Sequence, residues 1–322
     1  MTLQELFDFA IQSGIKADPR GRAGITRVLK RARHEYQELP AKRKSEFDRE
    51  RLTNPFADSR ISFGDHRGRV RKALMGVDIG SGEVMLANEL NRQNPKKKID
   101  LIIGHHPIGR AFADLGEVMH MQADILSSDA GVPINVAEGV MAGRIDEVRR
   151  SVAPINHFQA VDTARLMGLA LVNIHTPCDN LGYQFIKNLI AHKTHDTVDE
   201  VVETLKTIPE MKIGLSRGAG PTLITGKPSN RAGKIVITEF TGGTDGSKDI
   251  YEKMATAGVG TIIGMRMKEE ARQEAQKYHL TVIAAGHIAS DSLGMNLLAD
   301  QLEKRGITII PCSGFIRVKR TK

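Results

Sequence analysis

Three apolar runs in this chain each stop at histidine. IDLIIG runs into His105 and His106, LALVNI into His175, and TVIAAG into His287. Two of these ends carry a carboxylate four positions further on, Asp179 after His175 and Asp291 after His287, where a helical pattern begins. A spacing of four sets both side chains on one face if that first turn is helical. Gly104 and Pro107 flank the histidine pair and break the strand, so both rings can face one site. A lone histidine at a strand end is more often a polar cap than a ligand. Three such ends, one of them doubled, outweigh that reading. Imidazole and carboxylate without thiolate suit borderline divalent ions, Zn, Mn, Fe, Co or Ni. One open catalytic ion needs three protein ligands, so six candidates favour two divalent metal ions. Paired ions can bridge a hydroxide and polarise a substrate, which makes hydrolysis the natural reaction class.

Other residues are read against blander alternatives. Cys178 neighbours Asp179 and is expected to point into the core. Thr241-Gly-Gly-Thr-Asp-Gly-Ser247 follows a strand, so its backbone N–H groups could meet a phosphate, with a tight structural turn the equal alternative. Arg110 could meet an anionic substrate or simply be solvated. Asp78 could orient a histidine through a hydrogen bond or cap the core. His120, His157, His192 and His195 lack a paired carboxylate, and the Met-rich stretch around Val118–Gln122 reads as helix packing.

These residues need a frame that brings strand ends together. Seven short runs rich in Val, Ile and Leu read as buried strands: 72–79, 99–104, 168–174, 234–240, 260–265, 280–286 and 306–312. Helical patterns lie between several of them, at 83–92, 181–191, 248–258, 269–278 and 295–304. The fold class is therefore α/β and two-lobed, with mainly parallel sheets and crossover helices, and ligands bind at the carboxyl ends of such strands. Before this body, Thr2 and Glu5 have capping-box spacing for an amphipathic helix, a second helix runs from about Ile25 to Leu39, and a third, highly charged one could start at Pro40. Residues 1–55 read as a basic helical extension. Residues 56–205 form a first α/β lobe with His105, His106, His175 and Asp179. Residues 206–322 form a second segment with His287 and Asp291, and the site lies at the junction.

With 322 residues and 40% hydrophobic content, the chain can bury a sizeable core. It has no apolar run long enough for a membrane span, its start does not read as a signal peptide, and its 2 cysteines suit a reducing compartment. A cytoplasmic protein is expected. The net charge of +8 is concentrated in residues 1–72, with 17 Lys and Arg against 10 Asp and Glu. Those cations alternate with acids and almost no aromatic residues, which weighs against nucleic-acid contact by the N-terminal part.

The segments DLIIGHHP, IHTPCDNLG, TEFTGGTDGS and AAGHIASDSLG, in this order, resemble the family of NGG-one-interacting factor three-like proteins, the GTP cyclohydrolase I type 2 homologues. The resemblance covers roughly residues 65–322. It implies a two-lobed α/β chain that binds two divalent ions in a cleft and assembles as a homo-oligomer, a ring-like hexamer. Carried over position by position, it assigns metal ligation to His105, His106, Asp179, His287 and Asp291, with His175 in the place of a site histidine close to the ions; its position at a strand end, four residues before Asp179, makes it the expected catalytic group, orienting or transferring a proton. Asp291 departs from the family's usual glutamate by one methylene. The extension before residue 55 has no clear counterpart. Two functions follow: a dinuclear metal-dependent hydrolase acting on a small polar or nucleotide-like substrate, a purine nucleotide such as GTP first, or a non-catalytic metal-binding scaffold that acts through a partner protein.

Overall fold

The computed structural model describes residues 1–320. Its strands are β1 (Arg60–Phe63), β2 (Lys72–Gly76), β3 (Leu101–Gly104), β4 (Ala170–Asn173), β5 (Thr222–Thr225), β6 (Lys234–Ile237), β7 (Val259–Gly264), β8 (Thr281–Ala284) and β9 (Thr308–Cys312). Its helices are α1 (Leu3–Lys16), α2 (Gly21–Glu38), α3 (Ser81–Gln93), the short α4 (Arg110–Ala113), α5 (Leu115–Val118) and α6 (His120–Ile125), α7 (Ile134–Val152), α8 (Gln159–Met167), α9 (Thr176–Ala191), α10 (Val198–Lys206), α11 (Pro209–Ser216), α12 (Ile250–Thr256), α13 (Glu269–Lys277) and α14 (His287–Glu303). The strands form a five-stranded sheet in the order β1-β4-β3-β2-β9 and a four-stranded sheet in the order β5-β8-β7-β6. Pairing is parallel except at the edge strands β1 and β5. The chain is thus α/β with mainly parallel sheets.

All seven expected strands are present, and β1 and β5 are additional. Both fall in stretches that show no strand pattern in the sequence. They are four residues long and half-exposed, so they carry neither a continuous apolar run nor clean alternation. The chain also returns to the first sheet at its end, because β9 pairs in parallel with β2. The C-terminal strand therefore does not belong with the second α/β segment expected from residue 206 onward. The charged stretch after Pro40 forms only 3-10 turns at Ala41–Arg43 and Arg49–Leu52.

The N-terminal helices are not a detached extension. Helix α1 starts with the expected Thr2–Glu5 capping box and buries Leu3, Leu6, Phe7, Ala10 and Ile11 in the same core as Met75, Ile103, Tyr183 and Ile186. It lies so close to α9 that a Cβ on Gly14 would sit 2.6 Å from the Pro177 Cα. Helix α2 is different, with only Gly24, Ile25 and Ala32 buried, so the basic charge stays in solvent.

Helices α9 and α14 pack on each other in the middle of the molecule. Their backbones approach where Gly294 passes Cys178, and a Cβ there would meet the Cys178 carbonyl oxygen at 2.1 Å. Only glycine allows that approach. Among the described residues, no helix is long and apolar enough to cross a membrane.

Candidate metal centre

Each site residue sits where a parallel strand hands over to the next element. The ladder continues past β3, since the His105 N–H donates to the Gly76 carbonyl at 3.0 Å and the His106 N–H to the Val77 carbonyl at 2.9 Å. The two rings are thereby fixed beside β2. His175 is the N-cap residue of α9, and Asp179 lies one turn into that helix, buried. His287 opens α14 directly after Gly286, whose φ of 98° turns the chain out of β8, and Asp291 lies one turn further, also buried. The spacing of four thus works in both helices as the sequence indicates. Helices α9 and α14 then carry the two carboxylates toward each other.

The six groups converge. His105 Nε2 lies 3.2 Å from Asp179 Oδ1 and 3.6 Å from Asp291 Oδ1. Asp291 Oδ2 lies 3.4 Å from His106 Nε2 and 3.5 Å from His287 Nε2, and His175 Nε2 lies 3.5 Å from Asp179 Oδ2. Asp291 therefore turns one oxygen to His105 and the other to His106 and His287, despite its shorter side chain. His105 Nε2, Asp179 Oδ1 and both Asp291 oxygens are buried without a hydrogen-bond partner. A buried polar atom left in that state costs about 1–3 kcal/mol, more when charged. A divalent cation among these nitrogen and oxygen donors removes that cost, so the donor set fits such an ion. Three overlapping groups could hold a metal ion: His105, His106 and His175; His106, His287 and Asp291; His105, Asp179 and Asp291.

Neighbouring groups settle the orientation of the rings. His106 Nδ1 pairs with Asp78 Oδ1 at 2.6 Å, so Asp78 orients a histidine, one of the two roles open to it from sequence. His105 Nδ1 meets the Ile174 carbonyl at 3.2 Å. His175 Nδ1 pairs with the fully buried Asp58 at 2.7 Å, and Asp58 also accepts from the Thr176 hydroxyl at 2.6 Å. Each contact leaves Nε2 for the centre. Asp58 was not visible as a site residue. It lies in the loop-like NPFADSR stretch, which is held by ion pairs from Arg60 to Asp48, Glu50 and Asp114.

Burial opposes charge on these rings, with different outcomes. Burial lowers His105, but the carboxylates of Asp179 and Asp291 overcome it and hold this imidazole well above its ordinary value. His106 is raised in the same way, with Asp291 and Asp78 working against burial. His287 is lowered, first by burial, with Arg266 adding to it against Asp291. Burial pushes Asp291 up, yet His105, His106 and His287 hold it far below the usual carboxylate range.

The centre lies at the floor of a cleft of about 450 Å³. Ile108, Phe112, Phe240 and Met265 form apolar wall, and Arg266 brings a guanidinium. Arg110 takes no part, being exposed and paired with Asp114 at 2.6 Å. In the glycine turn after β6, the Gln122 amide donates to the Gly242 carbonyl at 2.8 Å and a Cβ on Gly242 would crowd Gln122 at 3.2 Å, while Gly243 and Thr244 line the cleft. Cys178 is buried as expected. Beside the turn, the half-buried Glu239 has its carboxyl pKa raised by desolvation and by Asp245, and it accepts from the Gly246 N–H at 2.6 Å and the Tyr251 hydroxyl at 2.9 Å.

Fold and site together define an α/β protein with a histidine and aspartate cluster able to hold metal between its sheets. No family model and no curated protein matches the chain. Solved structures do. A NIF3 superfamily protein from Sphaerobacter thermophilus superposes with a TM-score of 0.73 at 25% identity, covering 98% of this chain and 100% of that one. Reduced HcgD from Methanocaldococcus jannaschii superposes at 0.51 with 14% identity, over 85% of this chain and 97% of that one, which is likeness of fold. Over its whole length the chain is thus similar to a NIF3 superfamily structure, in keeping with the resemblance of its sequence segments to the NIF3-like family.

Proposed function

We propose that this protein binds two divalent metal ions through His105, His106, Asp179, His287 and Asp291 and hydrolyses a small polar substrate. The observation that carries the reading is Asp291, whose two buried oxygens face two different sets of histidines. Divalent ions at such a site supply Lewis acidity and lower the pKa of bound water. The chain's own residues do the rest. Asp58 holds the His175 Nδ1 proton, which leaves Nε2 aimed at Asp179 and free to take a proton from the attacking water and return it to the leaving group. Asp78 keeps the His106 ring turned, and the apolar wall of Phe112, Phe240 and Met265 limits the water around the reacting atoms. The cleft volume lies within the range of small-molecule sites. A purine nucleotide such as GTP is the first substrate to test, because the apolar wall suits a ring and Arg266 suits an anionic group. Assembly as a hexamer in the cytoplasm is proposed with it, to be read by light scattering.

Elemental analysis of wild type and His106→Ala, with GTP turnover followed under Zn, Mn, Fe and Co, tests the reading. Two ions per wild-type chain, fewer in the variant, and metal-dependent turnover lost with them are expected. Zero or one ion in wild type removes the dinuclear site. Two ions with no hydrolysis of GTP or other small metabolites removes the hydrolase.

A further inference from the structure

We infer that a basic groove at the amino ends of β2 and β3, at the opposite end of these strands from the metal centre, binds the phosphate backbone of duplex nucleic acid without reading its sequence. The groove has a volume of about 630 Å³, and Arg69, Arg71, Lys72, Lys96, Lys97 and Lys98 line it. Two separate stretches of sequence build it. Arg69 makes a β-bridge to Thr2, and with Arg71 it flanks the buried Val70, so alternation turns both guanidinium groups outward. The three consecutive lysines lie in the turn that leads into β3. Parallel pairing of β2 with β3, in register from Ala73 and Leu101, sets the two lead-ins side by side. The Lys72 ammonium ties them, donating to the Lys97 carbonyl at 2.7 Å.

The charge of this groove is uncompensated. Among the described residues lining it, one carboxylate, Asp100, stands against the six cations. That carboxylate is itself engaged by backbone, accepting from the Arg71 and Lys72 N–H groups at 2.8 and 3.0 Å. Among the described residues, none of the six cations pairs with an acid. On the helix surfaces, by contrast, Arg92, Arg165 and Arg272 each pair with an acid three positions away. Cations crowded without partners favour a polyanion, whose own condensed counterions are released when Lys and Arg replace them.

The character of the lining residues selects among polyanions. Four of the cations are lysines, point charges on flexible stems, and all but the half-buried Lys72 are exposed. Such groups suit a repeating line of charge rather than one anion held in a fixed fork. No aromatic residue lines the groove among the described residues, so the bases of a single strand find nothing to stack on. A duplex keeps its bases inside and presents one charge per about 1.7 Å of its axis, so it needs no such platform. The groove is concave and holds no large apolar side chain, which leaves a flat bilayer without an anchor. Contacts of this kind fall on phosphate oxygens and carry no sequence information.

Fluorescence anisotropy of the full-length chain with a labelled DNA duplex of about 20 base pairs tests the inference. Four phosphate contacts predict an affinity loss of about a hundredfold between 50 and 200 mM salt, and two unrelated sequences are expected to bind alike. The triple variant Lys96→Gln, Lys97→Gln, Lys98→Gln is expected to bind at least about tenfold more weakly at 50 mM salt, with a shallower salt dependence. The double variant Arg69→Gln, Arg71→Gln is expected to do the same. Arg92→Gln and Arg165→Gln, which remove exposed cations that already have acidic partners, are expected to stay within about twofold of wild type. Absence of binding by wild type at 50 mM salt overturns the inference, as does wild-type affinity in both groove variants. Tighter binding of a single strand of the same length overturns the duplex, and tighter binding of phosphatidylcholine and phosphatidylserine vesicles assigns the groove to a membrane instead. Both groove variants alter exposed side chains, and if one of them fails to fold, the other carries the same comparisons.

Discussion

Mild acid should strip metal from this protein, and the size of the effect follows from which rings hold protons when no ion is bound. His105 and His106 both carry raised pKa values in the metal-free chain, set by Asp179, Asp291 and Asp78 against the opposing effect of burial. An ion that takes their Nε2 atoms must displace those protons. Each proton released lowers the apparent affinity by at most about tenfold per pH unit, so the pair sets an upper bound of about a hundredfold on the loss from pH 7 to pH 6. His287 contributes little in this window because its pKa is lowered, chiefly by burial.

The metal-free chain should respond in the opposite sense. A histidine whose folded pKa is raised stabilises the fold fully below its unfolded value of about 6.5, and this contribution is lost as pH rises through the folded value. Asp291 is depressed, so its contribution is present above about pH 4 and lost as pH falls through its folded pKa. The metal-free protein should therefore melt higher at pH 6 than at pH 8.5, and the zinc-loaded protein higher at pH 8.5. Zinc calorimetry at pH 6, 6.5 and 7, in buffers of differing ionisation enthalpy, counts the protons released, and thermal melts of both forms read the stabilities. Zinc affinity that stays flat across this range, with less than about half a proton released per ion, would refute the pairing of His105 and His106 with the carboxylates.

Three further outcomes follow from packing and from Asp58. Gly294→Ala forces a Cβ against the Cys178 carbonyl, so urea denaturation should show a loss of about 2 kcal/mol or more, with weaker zinc binding as α9 and α14 separate. A variant of wild-type stability would mean that this approach is slack. Asp58→Ala orphans the Thr176 hydroxyl and the His175 N–H, which should cost about 2–5 kcal/mol in the same assay, while Asp58→Asn, which keeps an acceptor, costs less; equal losses would contradict the contacts. Deleting residues 1–16 removes the buried Leu3, Leu6, Phe7 and Ile11, each contributing about 1.5–3 kcal/mol, a sum comparable to the whole stability of a domain. The truncated chain should be insoluble or unfolded, and a soluble truncate that still binds two zinc ions would reverse that judgement.

The fold was legible where residue pattern and physical role coincide. Strands β2, β3, β4, β6, β7 and β8 are interior to their sheets or pair in parallel, so their apolar runs are continuous and visible. The edge strands β1 and β5 pair on one side only, and their mixed residues look like loop. Charge on the solvent face of α2 says nothing of the burial of α1, which its amphipathic spacing does indicate. The return of β9 to the first sheet is a matter of long-range pairing, and its apolar run is compatible with either sheet.

The site divides along the same line. His105, His106, His175, Asp179, His287 and Asp291 could be found because strand ends and the helical spacing of four are local regularities that also fix side-chain direction. Asp58 and Arg266 satisfy no such regularity. Asp58 reaches His175 across 117 residues of sequence, from a loop held by Arg60 with its acidic partners and by hydrogen bonds of Asn54. Arg266 follows an apolar strand as Arg110 follows the histidine pair, and sequence offers no ground for preferring one over the other. The difference arises in three dimensions: Asp114 engages Arg110 at the surface, whereas Asp245 and Thr244 draw Arg266 inward to His287. Residues that bear the ions are thus written in local pattern, and those that set ring orientation and charge around them are written in the packing of the two sheets.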